Sequence, residues 1–233
     1  MIRLLALCFV VVLLAPAARA DFVISNLRFT LYHELGHAVI DQLALPVFGP
    51  QENAADSFGL VLADRMHSES ELARIITDMT ALARLEAEEE LFDPWDEYMP
   101  GAQRLARAIC LYYGLNAEAR LETARGLGMP TGSKRGCAED ARATKAAWIS
   151  VLRRLTPSEG AAPVQSLRAA QRGKALRLLA KDIARINATL VLPRAIPVVQ
   201  VDCGEDNAFY FDIDERIEFC SEMIDALRAR SPG

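Results

Sequence analysis

Residues 32–38 read Tyr32-His33-Glu34-Leu35-Gly36-His37-Ala38, and residues 50–56 read Pro50-Gln51-Glu52-Asn53-Ala54-Ala55-Asp56. Around the first block, Leu27, Leu31, Leu35, Ala38 and Val39 recur at helical spacing. That period predicts a helix over 27–45, with Ser25 or Asn26 as its N-cap. Residues four apart share one helix face, so His33 and His37 can aim both imidazoles at a single ion. Glu34, next to the first histidine, is placed to act as general base on a water at that ion.

A catalytic zinc site needs a third protein ligand and an open fourth position. Pro46 and Gly49-Pro50 break the first helix and turn the chain, which predicts a second helix over 51–66 lying antiparallel to the first. It carries Glu52 and, one turn later, Asp56. Glu52 is the favoured third ligand. Asp56 is then expected to accept a hydrogen bond from the outer nitrogen of a ligating histidine, although it also stands as the alternative ligand. Two of the three histidines in the chain fall in this one pentapeptide.

Outward from this block, Ser68 and Glu71 form a capping-box pattern that opens a third helix reaching about residue 90. The segment 92–101 reads as a loop. Helical patterns follow over 102–113, 117–127 and 138–155, with a turn-rich connector at 128–136. After a small-residue linker at 156–163, one long helix is expected over 165–190. The β-branched run 196–201 and the segments 209–211 and 216–219, which flank the acidic turn 212–215, predict a strand and a β-hairpin. A last helix follows Cys220. The fold class is therefore α+β, mostly helical, with a small sheet near the C-terminus.

The first twenty residues have the three parts of a secretory signal: Arg3, an apolar run from Leu4 to Leu14, and Ala18-Arg19-Ala20 as cleavage pattern. The run is shorter than the roughly 20 residues that span a bilayer. The expectation is cleavage after Ala20, a single domain over 21–233, and a periplasmic or extracellular product without a stable membrane span. Without Arg3 and Arg19, the 26 basic residues fall to 24 against 31 acidic ones, a net charge of −7. No basic run remains to neutralise a phosphate backbone, which argues against nucleic acid as a partner. Cys8 lies in the leader. The other four cysteines read as two disulfides after export. Cys110–Cys137 and Cys203–Cys220 are the expected pairs, because each brackets one local unit.

The two opening blocks, with Leu45-Pro46-Val47-Phe48-Gly49 between them, resemble a bacterial family of inferred metallopeptidases known as a domain of unknown function. More broadly they resemble the gluzincins, whose third ligand is a glutamate. Further matches lie in Gln103-Arg104, in Ile109-Cys110-Leu111-Tyr112-Tyr113-Gly114, and in Cys203-Gly204-Glu205-Asp206-Asn207-Ala208-Phe209-Tyr210. The resemblance implies a zincin-like fold, Zn2+ and a peptide or protein substrate; the chain is expected to be a monomer. The Asn207-Ala208-Phe209-Tyr210 hairpin is associated in that family with the region before the zinc helix, so its C-terminal place here implies a circular permutation. The hairpin would then supply a sheet edge beside the cleft, where an extended substrate pairs.

The remaining candidates have plainer readings beside the functional ones. Tyr98 stands where the resemblance implies a histidine, and is either a transition-state donor or a packed loop tyrosine. His67 reads as a solvated helix-end residue. Arg104 either binds a substrate carboxylate or pairs with Asp96 or Glu97. Trp95 and Trp148 read as core or cleft-lining, and Glu86 to Glu90 as a solvated helix face. The alternative to an enzyme is a non-catalytic zincin-like metal-binding or interaction module, whose metal would be closed off by a fourth ligand from His67 or Asp56.

Overall fold

The computed structural model describes residues 8–91, 93, 95, 99–160, 162 and 164–232, with residues 8–20 as backbone alone. The architecture is α+β. Six helices come first: α1 (Cys8–Gln42), α2 (Gln51–Met66), α3 (Glu69–Glu89), α4 (Gly101–Leu115), α5 (Ala117–Gly126) and α6 (Lys134–Arg154). The C-terminal part interleaves β1 (Leu167–Ala169), α7 (Lys174–Leu178), α8 (Ala180–Thr189), β2 (Ile196–Val201), β3 (Ala208–Phe211), β4 (Arg216–Cys220) and α9 (Met223–Arg230).

Helix α1 is the spine of the core. Leu27, Leu31, Tyr32, Leu35, Ala38 and Val39 are all fully buried, and each buried leucine contributes about 1.5–3 kcal/mol by leaving water. The helix does not start at Ser25 or Asn26. Both residues are buried within it, and Asn26 donates its side-chain amide to the Phe22 carbonyl one turn earlier. A side chain bonded back along the helix cannot cap it. The leader expected over 1–20 falls on residues 1–7, which lie outside the described residues, and on the backbone-only stretch 8–20.

Helices α1 and α2 are antiparallel, since His33 meets Asp56 while His37 meets Gln51. Gly36 lets them close on each other: a Cβ there would lie 3.0 Å from Ala55 Cα and 3.1 Å from its carbonyl oxygen. Ser68 caps α3 in a complete capping box with Glu71. Two disulfides, Cys110–Cys137 and Cys203–Cys220, join α4 to α6 and the β2–β3 loop to β4, as expected.

The expected helix over 165–190 is instead a strand and two short helices. Leu167–Ala169 pairs in parallel with Ile196–Val198. The Asn187 side chain holds it there, accepting from the Leu167 N–H at 2.7 Å and donating to the Leu167 carbonyl at 2.9 Å. Helix α6 also starts earlier than residue 138, at Lys134. The sheet order is β1-β2-β4-β3, with β3 antiparallel to β4 and the other pairs parallel. Strand β3 is thus an edge, and it packs beside α1.

Candidate metal centre

The two helices bring three donor atoms to one point. His33 Nε2 lies 3.0 Å from Glu52 Oε2, His37 Nε2 lies 3.2 Å from Glu52 Oε1, and the two Nε2 atoms are 3.1 Å apart. His33 and Glu52 are buried and His37 is half-buried. A tetrahedral zinc with bonds of about 2.0–2.1 Å sets its ligand atoms about 3.3 Å apart. The donor set therefore fits such an ion in both chemistry and spacing.

The outer ring nitrogens decide what the inner ones offer. His33 Nδ1 is 2.8 Å from Asp56 Oδ1, and His37 Nδ1 is 2.6 Å from Gln51 Oε1. Both partners are acceptors, so both Nδ1 atoms donate, and each ring, when neutral, turns a bare Nε2 lone pair inward. Two lone pairs and a carboxylate converge there, an arrangement that repels itself unless positive charge sits between them. Burial pulls His33 down, but its hydrogen bonds to Asp56 and Glu52 outweigh that and raise it to about 9. His37 is raised against the same burial by Glu52. Burial pushes Glu52 up, yet its contacts with the two histidines carry it far below the usual carboxylate range.

Asp56 takes the expected position behind His33 and is itself gripped by Arg104, whose Nε donates to Oδ2 at 2.6 Å and Nη2 to Oδ1 at 2.7 Å. Arg104 and His33 outweigh burial and hold Asp56 at about 2, so it stays an acceptor. Asp96 and Glu97, the other partners expected for Arg104, lie outside the described residues, as does Tyr98.

Glu34 is buried beside the histidines. Burial pushes its carboxyl up to about 7, against the pull of His33, His37 and a hydrogen bond from the Tyr210 backbone N–H. That last contact comes from the sheet register. Cys220 N–H bonds to the Asn207 carbonyl; with β3 and β4 antiparallel, Ala208 and Tyr210 then turn their backbone groups to the free edge. The edge of β3 thus runs alongside Glu34, a link that local sequence patterns do not carry. The Tyr210 hydroxyl donates to Asp41 at 2.8 Å, one turn past His37 on α1.

His67 is not solvated. Its side chain is 0% exposed, because Tyr32 of α1 and Arg185 and Asp182 of α8 stand around it. Arg185 Nη1 lies 3.0 Å from Nδ1, and arginine only donates, so Nδ1 accepts. Nε2 then carries the proton toward Tyr32 Oη at 2.8 Å, and Tyr32 donates to Asp182 Oδ1 at 3.1 Å. Arg28 closes this buried network on Asp182 with two contacts of 3.0 Å. Neither His67 nor Asp56 supplies a fourth ligand, since each is committed elsewhere.

Two aromatic expectations divide. Trp148 is buried, donates to Ser57 Oγ at 2.8 Å and stacks edge-on against Phe58. Trp95 is 92% exposed, so it is neither core nor cleft. Glu86, Glu88, Glu89 and Glu90 are all exposed, as expected, and Glu86 and Glu90 also line a cleft of about 370 Å³ that opens beside His33 and Glu34. The family model DUF4344, described as "Putative metallopeptidase", matches residues 15–152 and 164–232. No curated protein and no solved structure matches the chain.

Proposed function

The chain belongs to this metallopeptidase family, and on that premise we propose that it is an exported zinc peptidase that cleaves peptide bonds with Glu34 as general base. The observation that carries the reading is the convergence of His33 Nε2, His37 Nε2 and the Glu52 carboxylate, 3.0–3.2 Å apart, with Glu34 buried beside them. A zinc ion held there supplies Lewis acidity toward a scissile carbonyl and acidifies water. Glu34 takes the proton of the attacking water and passes it to the leaving amine. The Tyr210 N–H keeps the Glu34 carboxylate oriented, and Asp56 with Arg104 keeps His33 in the tautomer whose Nε2 faces inward.

The substrate is a peptide or protein segment lying along the cleft beside the β3 edge. Export is supported by the leader-like residues 1–20 and by two disulfides. Among the described residues, no helix is long and apolar enough to cross a membrane. The test is metal content by mass spectrometry together with peptide hydrolysis, in wild type and Glu34→Gln. Stoichiometric zinc with activity lost in the variant is the expected result. Equal cleavage by both proteins removes Glu34 from the role of base, and a zinc-free, inactive wild type overturns the reading.

A further inference from the structure

The cleft beside Glu34 is walled by apolar side chains, among them Phe29 of α1, Leu82 of α3, Leu105 of α4 and Leu227 of α9. Helices α1 and α3 hold a parallel register along one wall. Asp21 pairs with Arg74 at 3.5 Å, and Ser25 lies near enough to Asp78 to pull its carboxyl down, at the same offset in sequence. Continued turn by turn, that offset sets Phe29 beside Leu82 and His33 level with Glu86. All four residues line the cleft. Glu86 therefore lines the same cleft as His33 and Glu34.

The other charged groups of the cleft are engaged. Arg104 grips Asp56, Arg230 bonds to Asp206 at 2.5 Å and lies 3.9 Å from Glu89, and Glu90 accepts the Gly101 N–H at 2.6 Å. Glu86 has neither a hydrogen bond nor an ion pair among the described residues, and it is exposed. Although it is exposed, partial desolvation against the cleft side chains raises its carboxyl above the ordinary value, with Arg230 and Arg104 acting only at a distance. The cleft thus has room for a long side chain, apolar flanks, and in Glu86 an acidic group with neither a hydrogen bond nor an ion pair among the described residues.

We propose that Glu86 is a specificity-determining residue and that this cleft takes a lysine or arginine side chain of the peptide next to the scissile bond. The proposal rests on the metallopeptidase reading. The aliphatic stem of such a side chain covers the apolar walls while its cationic head meets Glu86. A neutral side chain of equal length fills the same walls and leaves Glu86 unmatched. An acidic one is repelled.

The test measures binding and cleavage separately. Fluorescent, N-acetylated peptides identical except for one lysine, norleucine or glutamate are titrated into the zinc-loaded protein and followed by anisotropy. Wild type should bind the lysine peptide roughly fivefold more tightly than the norleucine one, the scale of a partly screened ion pair. Glu86→Gln should abolish that preference and leave norleucine affinity unchanged. Glu86→Lys should favour the glutamate peptide. Equal binding of lysine and norleucine by wild type, no binding of any peptide, or a preference that survives Glu86→Gln each overturns the assignment. Hydrolysis of the same peptides, with Glu34→Gln as control, reads the enzymatic proposal. Selective binding without hydrolysis sinks that proposal and supports Glu86; hydrolysis without selectivity does the reverse.

Discussion

Arg104 and Asp56 form a two-pronged ion pair, with contacts of 2.6 and 2.7 Å, directly behind the His33 ring. The same Asp56 oxygen that meets Arg104 Nη2 also accepts from His33 Nδ1 at 2.8 Å. One arginine thus fixes a carboxylate, and the carboxylate fixes the face a histidine presents. Outer partners of this kind are worth about 10–100-fold in metal affinity. Asp56→Ala should weaken zinc binding by that amount in a chelator-competition titration. Arg104→Ala should cost less, because Asp56 remains, and Arg104→Lys should recover only part of the loss, since an ammonium cannot grip both oxygens. Zinc affinity unchanged in Asp56→Ala would remove Asp56 from the site.

Zinc should stabilise the fold, because three of its ligands come from two helices that unfolding would separate. At a free concentration 100 times its Kd, a ligand specific for the native state contributes about 2.7 kcal/mol. For a domain of this size that is a rise in Tm of roughly 5–10 °C. The rise should be absent in His37→Ala. Differential scanning fluorimetry with and without a chelator reads it, and identical zinc shifts in both proteins would exclude His37 as a ligand.

Gly36→Ala should separate the ligands. Alanine ordinarily favours a helix over glycine by roughly 0.5–1 kcal/mol. Here its Cβ would press on the Ala55 backbone at 3.0 and 3.1 Å and on the Phe58 ring at 3.2 Å. Overpacking of this kind costs about 1–3 kcal/mol. The variant should be less stable in urea and should bind zinc more weakly, because α2 carries Glu52 away from the histidines. A variant more stable than wild type would show that the helices have slack.

His67 makes stability depend on pH. Burial, then Arg185 and Arg28, lower its pKa below the ordinary value in the folded chain. The unfolded chain then binds the proton more readily, so stability is full above about pH 6.5 and falls as the pH drops below it. The slope from one such group is at most about 1.4 kcal/mol per pH unit. His67→Gln should flatten the slope between pH 6.5 and 5 in denaturant titrations of the zinc-loaded protein. An unchanged slope would assign it to other groups.

Much of the molecule was legible in local sequence. The breaking prolines and Gly49 set α2 at Gln51–Met66, the Ser68–Glu71 box opened α3, and the bracketing cysteines paired as expected. His33, His37, Glu52 and Asp56 came together because each lies within one or two turns of a helix whose partner is joined to it by a short turn. Helical spacing, capping and turn chemistry are local, and the sequence alone determined them.

What the tertiary structure decided depends on partners far along the chain. Leu167–Ala169 has no β-branched residue and a helical pattern around it, yet it is a strand, because β2 and the Asn187 side chain satisfy its backbone. His67 turned from an exposed helix end to a buried base only because Arg185 and Tyr32 surround it. Glu34 gained the Tyr210 N–H through the register of a hairpin, and Glu86 gained its place in the cleft through the register of α3 on α1. A histidine pair at helical spacing states which faces can meet. Whether anything stands across from them, and with what charge, is set when distant segments bury their backbone polar groups against one another.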